Sequence, residues 1–373
     1  MPTSPLRRTP LFALHQAWGA RFVPFAGWQM PVQYQGVVAE HRAVREGVGV
    51  FDVSHMGKFT LRGPELGSHL NRLVPTNLQT LPVGCGRYTV LLNPEGGILD
   101  DLIFYRHPPE AEDEHWSIIL NAATRQKDWD WLNRHLAGIP GVQLWDHTQD
   151  RVLLAVQGPA AEAVLQPYFQ GSLAELGRFQ HGQFTGAAGF SGQAVFIART
   201  GYTGEDGFEV LLQPEDGIHL WEQLMAAGVQ PCGLGCRDTL RLEAGLHLYG
   251  QDMDETTTPL EAGLAWLLTN PGNYLGKAAL ETQQQHGIPR RLVAFRLLTR
   301  GIPRPGYAIW AERSSQPIGR VTSGTHSPSL GYGIGLGYVE SAWARVGSRL
   351  QIEIRGQHYP AEVVKRPFYR PSA

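Results

Sequence analysis

Apolar residues recur at helical spacing in two stretches near the start of the chain. Leu11, Leu14 and Trp18 lie three and four apart behind Thr9-Pro10, a capping residue with proline in the first turn, which predicts a helix over residues 9–20. Val37, Val38, His41 and Val44 repeat the pattern and stop at Gly47. The period then changes. Val50 to Val53 is a short apolar run, and Lys58 to Leu61 alternates before the turn Gly63-Pro64, so both read as strands.

The clearest hairpin spans residues 88–106, where two apolar runs flank Pro94-Glu95-Gly96-Gly97, a sequence with strong turn chemistry. A strand over Trp116 to Leu120 and a helix over Thr124 to Leu136 follow. Val152 to Pro159 reads as a strand entering a turn, and Ala160 to Leu165 as the start of a helix. Two strands should flank a glycine-containing loop at residues 201–207, followed by a helix ended by Gly228. A further helix is expected to start near Arg237 or Asp238 and to end at Gly250. Beyond a last helical segment at residues 275–287, short strand-like runs dominate, which predicts a β-rich C-terminal domain from about residue 285. Helices and hairpins mix without regular βαβ alternation, so the class is α+β rather than a doubly wound sheet.

Composition narrows the functional classes. At 373 residues the chain is too long for one ordinary core and should form two or three domains. With 32 basic and 34 acidic side chains the formal charge is -2, so no summed positive field favours nucleic acid. The N-terminal segment lacks an apolar stretch of signal-peptide length, and no run approaches a membrane span; the expectation is a cytoplasmic protein with no membrane partner. Only Cys85, Cys232 and Cys236 carry thiols, too few for a disulfide framework. Cys232 and Cys236 are four apart, but further ligands at a recognisable metal spacing are missing, so no metal is expected.

Three places could carry chemistry. Asp100 and Asp101 interrupt the apolar strand Ile98 to Tyr105, and a period of two sends them to opposite faces. One can reach solvent or a turn, while the other must enter an interior or cavity and find a partner or a proton there. The loop Gly201-Tyr202-Thr203-Gly204-Glu205-Asp206-Gly207 matches neither phosphate-binding glycine motif, and its acids would repel phosphate. Glu209, just beyond it, could accept paired donors from a planar, guanidine-like ring edge; the alternative is a surface hairpin with solvated acids. Arg237, at the beginning of a helix, could grip a carboxylate or carbonyl, or could simply pair with Asp238 or Glu243. Ser54-His55-Met56 has no nucleophile elbow or assignable triad order around it, which argues against a serine hydrolase.

Taken in order, the segments TPLF, FAGWQMPVQY, EHRAVREGVGVFDVSHMGKF, YTVLLNPEGGILDDLIFY, RTGYTGEDGFE, PCGLGCRDTLRLEAGLHLYGQDMDE, VTSGTHSPSLG and KRPFYR cover roughly residues 9–370. Their ordered co-occurrence resembles the T-protein family of the glycine cleavage system, the folate-dependent aminomethyltransferases. The resemblance implies three domains around a central opening. Residues 1–55 and 143–255 would form a discontinuous first domain, residues 56–142 an inserted second, and residues 256–373 the β-rich third.

It also implies an activity: transfer of the methylene carbon from the aminomethyl group on the lipoyl arm of lipoylated H protein to tetrahydrofolate. Ammonia, 5,10-methylenetetrahydrofolate and dihydrolipoyl H protein are the products. Tetrahydrofolate is thus the acceptor, the lipoyl group belongs to the partner, and no metal takes part. By the same resemblance Asp101 is the catalytic acid, Glu209 recognises the pterin edge, and Arg237 stands at the ligand site. Met56, Tyr88, Tyr105 and Tyr202 match residues near the folate, and Arg370 contributes from the third domain. Cys236 departs from the pattern, standing where alanine is frequent. Related iron-sulfur assembly proteins carry a cysteine-containing segment where this chain has GLGCRDTLRLE, and fused dehydrogenases need a flavin domain for which 373 residues leave no room.

Overall fold

A computed structural model describes residues 5–312 and 314–371; the first four residues of the N-terminal segment discussed above lie outside it. By packing, the chain divides into two units. One comprises residues 1–70, 78–88 and 102–237, the other residues 71–77, 89–101 and 238–373. Both units are therefore discontinuous in sequence.

The first unit is built on a seven-stranded sheet. Its order is Phe169–Gln170, His181–Gly186, Ala194–Ala198, Gly207–Leu212, Val152–Gln157, Gly49–Asp52 and Gln230–Pro231. Period-two alternation decides which side chains enter the core. Phe208, Val210 and Leu212 join Val152, Leu154, Val156, Trp221 and Leu224 in one buried cluster, covered by the helix Pro214–Ala226. Glu209 consequently points to the opposite face, as does Ala155, its register partner on the neighbouring strand.

A five-stranded sheet orders Cys85–Leu92, Ile98–Glu110, Asp113–Leu120, Gly57–Gly63 and Gln143–Asp146. The expected hairpin is present. Asn93 N donates to Gly97 O at 2.9 Å, Gly97 N donates to the Asn93 side chain at 2.8 Å, and Gly96 turns with φ 83°. That positive φ is the reason for glycine at this point.

In the second unit, Arg290–Leu297, Gly333–Glu340, Gly319–His326, Ala308–Ala311, Arg349–Ile354 and Gln357–Val364 close into a barrel, the first strand pairing with the last. Its interior is filled by Phe295, Ile309, Val321, Leu350, Ile352 and Val363. Among the described residues no helix is long and apolar enough to cross a membrane.

Three expectations need correction. The first helix is shorter than expected, Phe12–Ala17, and is followed by an unforeseen antiparallel ribbon, Arg21–Phe25 with Trp28–Gln33. Pro24 and Pro31 argue against strands by sequence, but a two-stranded ribbon gives each strand an unpaired edge where a missing N–H costs nothing. The helix expected from Arg237 to Gly250 instead spans Leu234–Glu243. It stops because Gly245 adopts φ 70° and Leu246 N turns back to Arg241 O at 2.9 Å.

Candidate functional site

In the first unit a group of buried polar side chains surrounds the loop at residues 201–207. Glu209 is only 7% exposed, although it is an acid in the middle of a sheet. Its Oε2 accepts a hydrogen bond from Thr200 Oγ1 at 2.6 Å, and Thr200 Oγ1 lies 3.2 Å from Tyr105 Oη. The Thr200 hydroxyl has one proton and gives it to Glu209, so Tyr105 donates to Thr200. Glu209 Oε1 takes no protein donor among the described residues.

Tyr105 is wholly enclosed, its ring edge-on to His181 and to Phe196 at centroid distances of 5.4 and 5.2 Å. Burial, reinforced by the Glu209 charge, pushes its phenol well above the ordinary tyrosine range, so it remains a donor.

Of the other acids of the loop, the Glu205 side chain is buried and Asp206 is exposed. Glu205 pairs with Arg45 at 2.8 Å with both side chains almost fully buried, and the same Arg45 nitrogen donates to Thr203 O. Asp206 pairs with Arg199, whose hydrogen bond holds its carboxyl below the usual range. Gln157 completes the scaffold, donating from Nε2 to Thr200 O at 3.0 Å and accepting from Thr203 Oγ1 at 2.9 Å. A Cβ at position 201 would lie 1.9 Å from Gln157 Oε1, so glycine there is a condition of this close approach.

Arg237 is the unsatisfied member of the group. Its guanidinium lies over the Tyr202 ring, with Cζ 4.7 Å from the centroid, and Nη2 is 3.8 Å from Met56 Sδ. Nη1 is buried without a hydrogen-bond partner among the described residues. Burial lowers its affinity for a proton, opposed by the charge of Glu209 and by Tyr202. A buried guanidinium without an acceptor costs free energy that an anionic or carbonyl oxygen would recover. The ion pairs considered from sequence do not account for it: Asp238 is engaged by Arg241 at 2.8 Å, and Glu243 by the hydroxyls of Ser327 and Ser329.

Met56 is held in place by its own turn. Lys58, almost fully buried, donates from Nζ to Ser54 O at 2.7 Å and to Met56 O at 2.9 Å. Asp52 accepts from Ser54 N at 2.9 Å and is itself tied to His15 at 2.8 Å. His55, in the same turn, is 4% exposed and its Nδ1 has no hydrogen-bond partner among the described residues.

The structure thus brings Glu209, Arg237, Tyr202 and Met56 into one neighbourhood of the first unit, with Tyr105 behind Glu209 through Thr200. Tyr88, partly buried on the strand Cys85–Leu92, belongs to the same unit. Asp101 and Arg370 belong to the second. On the strand Ile98–Glu110, Asp100 is fully buried and Asp101 partly so, and neither is without a partner. Arg370 is exposed near the C-terminus. Sequence reasoning gave no role to Thr200, Gln157, Arg45 or Lys58. The first sits inside the quoted RTGYTGEDGFE segment, but a threonine before a glycine loop has no signature of its own.

A second cluster corrects the reading of the thiols. Glu40 converges with Cys232 and Cys236, their ligand atoms within 4.8 Å of one another, so a third ligand atom does accompany the pair. The Glu40 carboxylate is already engaged, however, by the backbone N–H groups of Tyr34, Gln35, Gly36 and Gly233. Burial pushes the Cys232 thiol well up, which keeps it protonated.

Comparison with known proteins places this geometry in a family. A family model described as the GCVT N-terminal domain matches residues 11–270, and one described as the glycine cleavage T-protein C-terminal barrel domain matches residues 290–370. The chain belongs to the glycine cleavage T-protein family. Among curated T-protein relatives, the aminomethyltransferase of a Picosynechococcus strain is 53% identical over 370 residues, covering 98% of this chain and 99% of the relative. That of a Nostoc strain is 52% identical, with 98% and 96% covered. The crystal structure of glycine cleavage system aminomethyltransferase T from Bartonella henselae superposes with a TM-score of 0.89 at 36% identity, covering 98% and 99% of the two chains. The C-terminal barrel of the T-protein family is the six-stranded closed barrel described above.

Proposed function

We infer that this chain acts in glycine cleavage as an aminomethyltransferase that takes the aminomethyl group from the lipoyl arm of H protein and passes its methylene carbon to tetrahydrofolate. Ammonia leaves, and 5,10-methylenetetrahydrofolate and dihydrolipoyl H protein are formed. The observation that carries the reading is the pairing of a buried carboxylate having one open oxygen, Glu209, with a buried guanidinium lacking an acceptor, Arg237. A reduced pterin has the complementary chemistry: an N–H and amino edge for the carboxylate, and an electron-rich carbonyl or carboxylate for the arginine.

In this reading Tyr202 and Met56 form the walls of the arginine site, Tyr88 lies beside the folate, and Tyr105 supports Glu209 from behind. Arg370 meets the folate from the C-terminal segment. Asp101 orients the amine near N10 of the folate and accepts or returns its proton as the sulfur-bound methylene is transferred. Holding donor and acceptor together supplies most of the acceleration, because the reaction needs little strong acid or base. Excluding water keeps the methylene from being lost as formaldehyde. The transfer calls for no metal. The three-part division at residues 1–55 with 143–255, 56–142 and 256–373 and a cytoplasmic location belong to the same proposal; four of the five strands of the sheet at residues 57–146 lie within the proposed second part.

The test is a reconstituted assay with aminomethyl-loaded H protein and tetrahydrofolate. Asp101→Asn should keep the fold and the affinity for folate while reducing turnover by about 10²–10⁴-fold, the range for a general acid-base group. Turnover equal to that of the unaltered protein would remove Asp101 from the mechanism. Absence of H-protein-dependent transfer by the unaltered protein would sink the whole assignment.

A further inference from the structure

The hydrogen bonds behind Glu209 run one way only. Tyr105 Oη donates to Thr200 Oγ1, which has a single proton and donates it to Glu209 Oε2 at 2.6 Å. All three side chains are buried, so water does not substitute for either link. The backbone of Thr200 is fixed independently through the Gln157 amide, and the strand register places Ala198 directly against Glu209. Thr200 is therefore a rigid donor, and among the described residues it is the one protein donor to the carboxylate.

We infer that Thr200 is a positioning residue that selects the orientation of Glu209 and thereby the class of ring edge the site accepts. A free glutamate side chain rotates about three torsions. With Oε2 held by Thr200, the plane of the carboxylate is set, Oε1 is left open, and Oε2 retains one lone pair. Both remaining sites are acceptors. They fit a planar edge carrying two adjacent donors, such as the N3–H and 2-amino group of a pterin, and reject an edge that presents an acceptor there, because a buried acceptor pair without donors is unfavourable. Tyr105 acts at second remove, since the Thr200 hydroxyl it donates to becomes the stronger donor toward Glu209. Neither Thr200 nor Tyr105 needs to touch the ligand.

The inference rests on Glu209 receiving the pterin edge, and its test separates the two claims. Steady-state transfer with varied tetrahydrofolate would be measured for Thr200→Val, Thr200→Ser, Tyr105→Phe, the Thr200→Val/Tyr105→Phe double variant and Glu209→Gln, each checked for an unchanged thermal transition. Thr200→Val, nearly isosteric but without the hydroxyl, should raise KM for tetrahydrofolate about tenfold, equivalent to ~1.4 kcal/mol, with kcat altered by less than about twofold. Thr200→Ser, which restores the donor, should return KM to within about threefold of the unaltered enzyme.

Tyr105→Phe should raise KM by a smaller factor, and that factor should vanish in the Thr200→Val background, because the relay reaches Glu209 only through Thr200. If Glu209→Gln raises KM while Thr200→Val does not, or if the two relay variants are fully additive, Thr200 is not the positioning residue. If Glu209→Gln itself leaves KM unchanged, Glu209 is not the pterin acceptor and the functional reading fails first. A Thr200→Val protein with a lowered transition is judged on Thr200→Ser and Tyr105→Phe, for which a KM shift without rescue or coupling also overturns the inference.

Discussion

Two arginines four residues apart on the helix Leu234–Glu243 show how differently the two units use the same side chain. Arg241, in the second unit, is fully enclosed and satisfied: it bonds Asp238, Asp252 Oδ2 at 2.7 Å, Leu246 O and Ser323 Oγ. Asp252 is equally occupied, accepting also from Leu248 N and Thr322 Oγ1. Arg237, in the first unit, has an aromatic face, a thioether and a buried nitrogen without a partner. A closed network of this kind specifies the structure, whereas an open one stores an interaction for something the chain does not itself contain. The same contrast separates Glu243, enclosed by serine hydroxyls and the Ser329 N–H, from Glu209, held at one oxygen and open at the other.

The sharpest way to break this comparison is to remove each guanidinium without changing bulk. Arg241→Met should lower stability by about 3–5 kcal/mol, because Asp252 is left buried without its counter-charge. Denaturant unfolding would register this as a large fall in midpoint; a loss below 1 kcal/mol would mean that the network is not structural. Arg237→Met should do the opposite. Stability should stay within about 1 kcal/mol or improve, since an unsatisfied buried charge is replaced by an apolar chain, while kcat/KM for tetrahydrofolate falls about 10–100-fold, the scale of a charged hydrogen bond. Equal effects of the two variants on unfolding would erase the distinction between them.

How much of this was legible in the sequence depends on whether the signal is local. The hairpin around Gly96-Gly97, the helix Val37–Glu46 and the C-terminal strands were readable because period and turn chemistry act over a few residues. The final strand, Gln357–Val364, and the ribbon containing Pro24 and Pro31 were not, since barrel closure and edge position decide them. For the site, residue matching picked out Glu209 and Arg237, but the residues themselves gave two outcomes each. What separates the outcomes is long-range: Arg45 reaches Glu205 across 160 positions, and Thr200 meets Tyr105 across 95. No periodicity carries that information, so the burial of Glu205 and the relay behind Glu209 had to come from the structure.

The last test asks whether the turn beneath Met56 is held by a charge under strain. Lys58 is buried, and burial lowers its pKa to about 7, opposed by Asp52, Asp146 and Asp150 and assisted by Arg125. A free lysine in the unfolded chain titrates near 10.4, so between about pH 7 and 10 the unfolded state binds a proton that the folded state has released. Stability should therefore rise with pH in this window, by at most ~1.4 kcal/mol per unit from this group. Other groups titrate too, among them the buried tyrosines whose raised pKa values act in the reverse sense above pH 10. The informative quantity is accordingly the difference between the unaltered protein and Lys58→Met, followed by urea unfolding from pH 6.5 to 9.5. It should grow in favour of the unaltered protein as pH rises, because the variant has no ammonium to discharge. A difference independent of pH would mean that Lys58 keeps an ordinary pKa and that its bonds to Ser54 O and Met56 O are made without an electrostatic penalty.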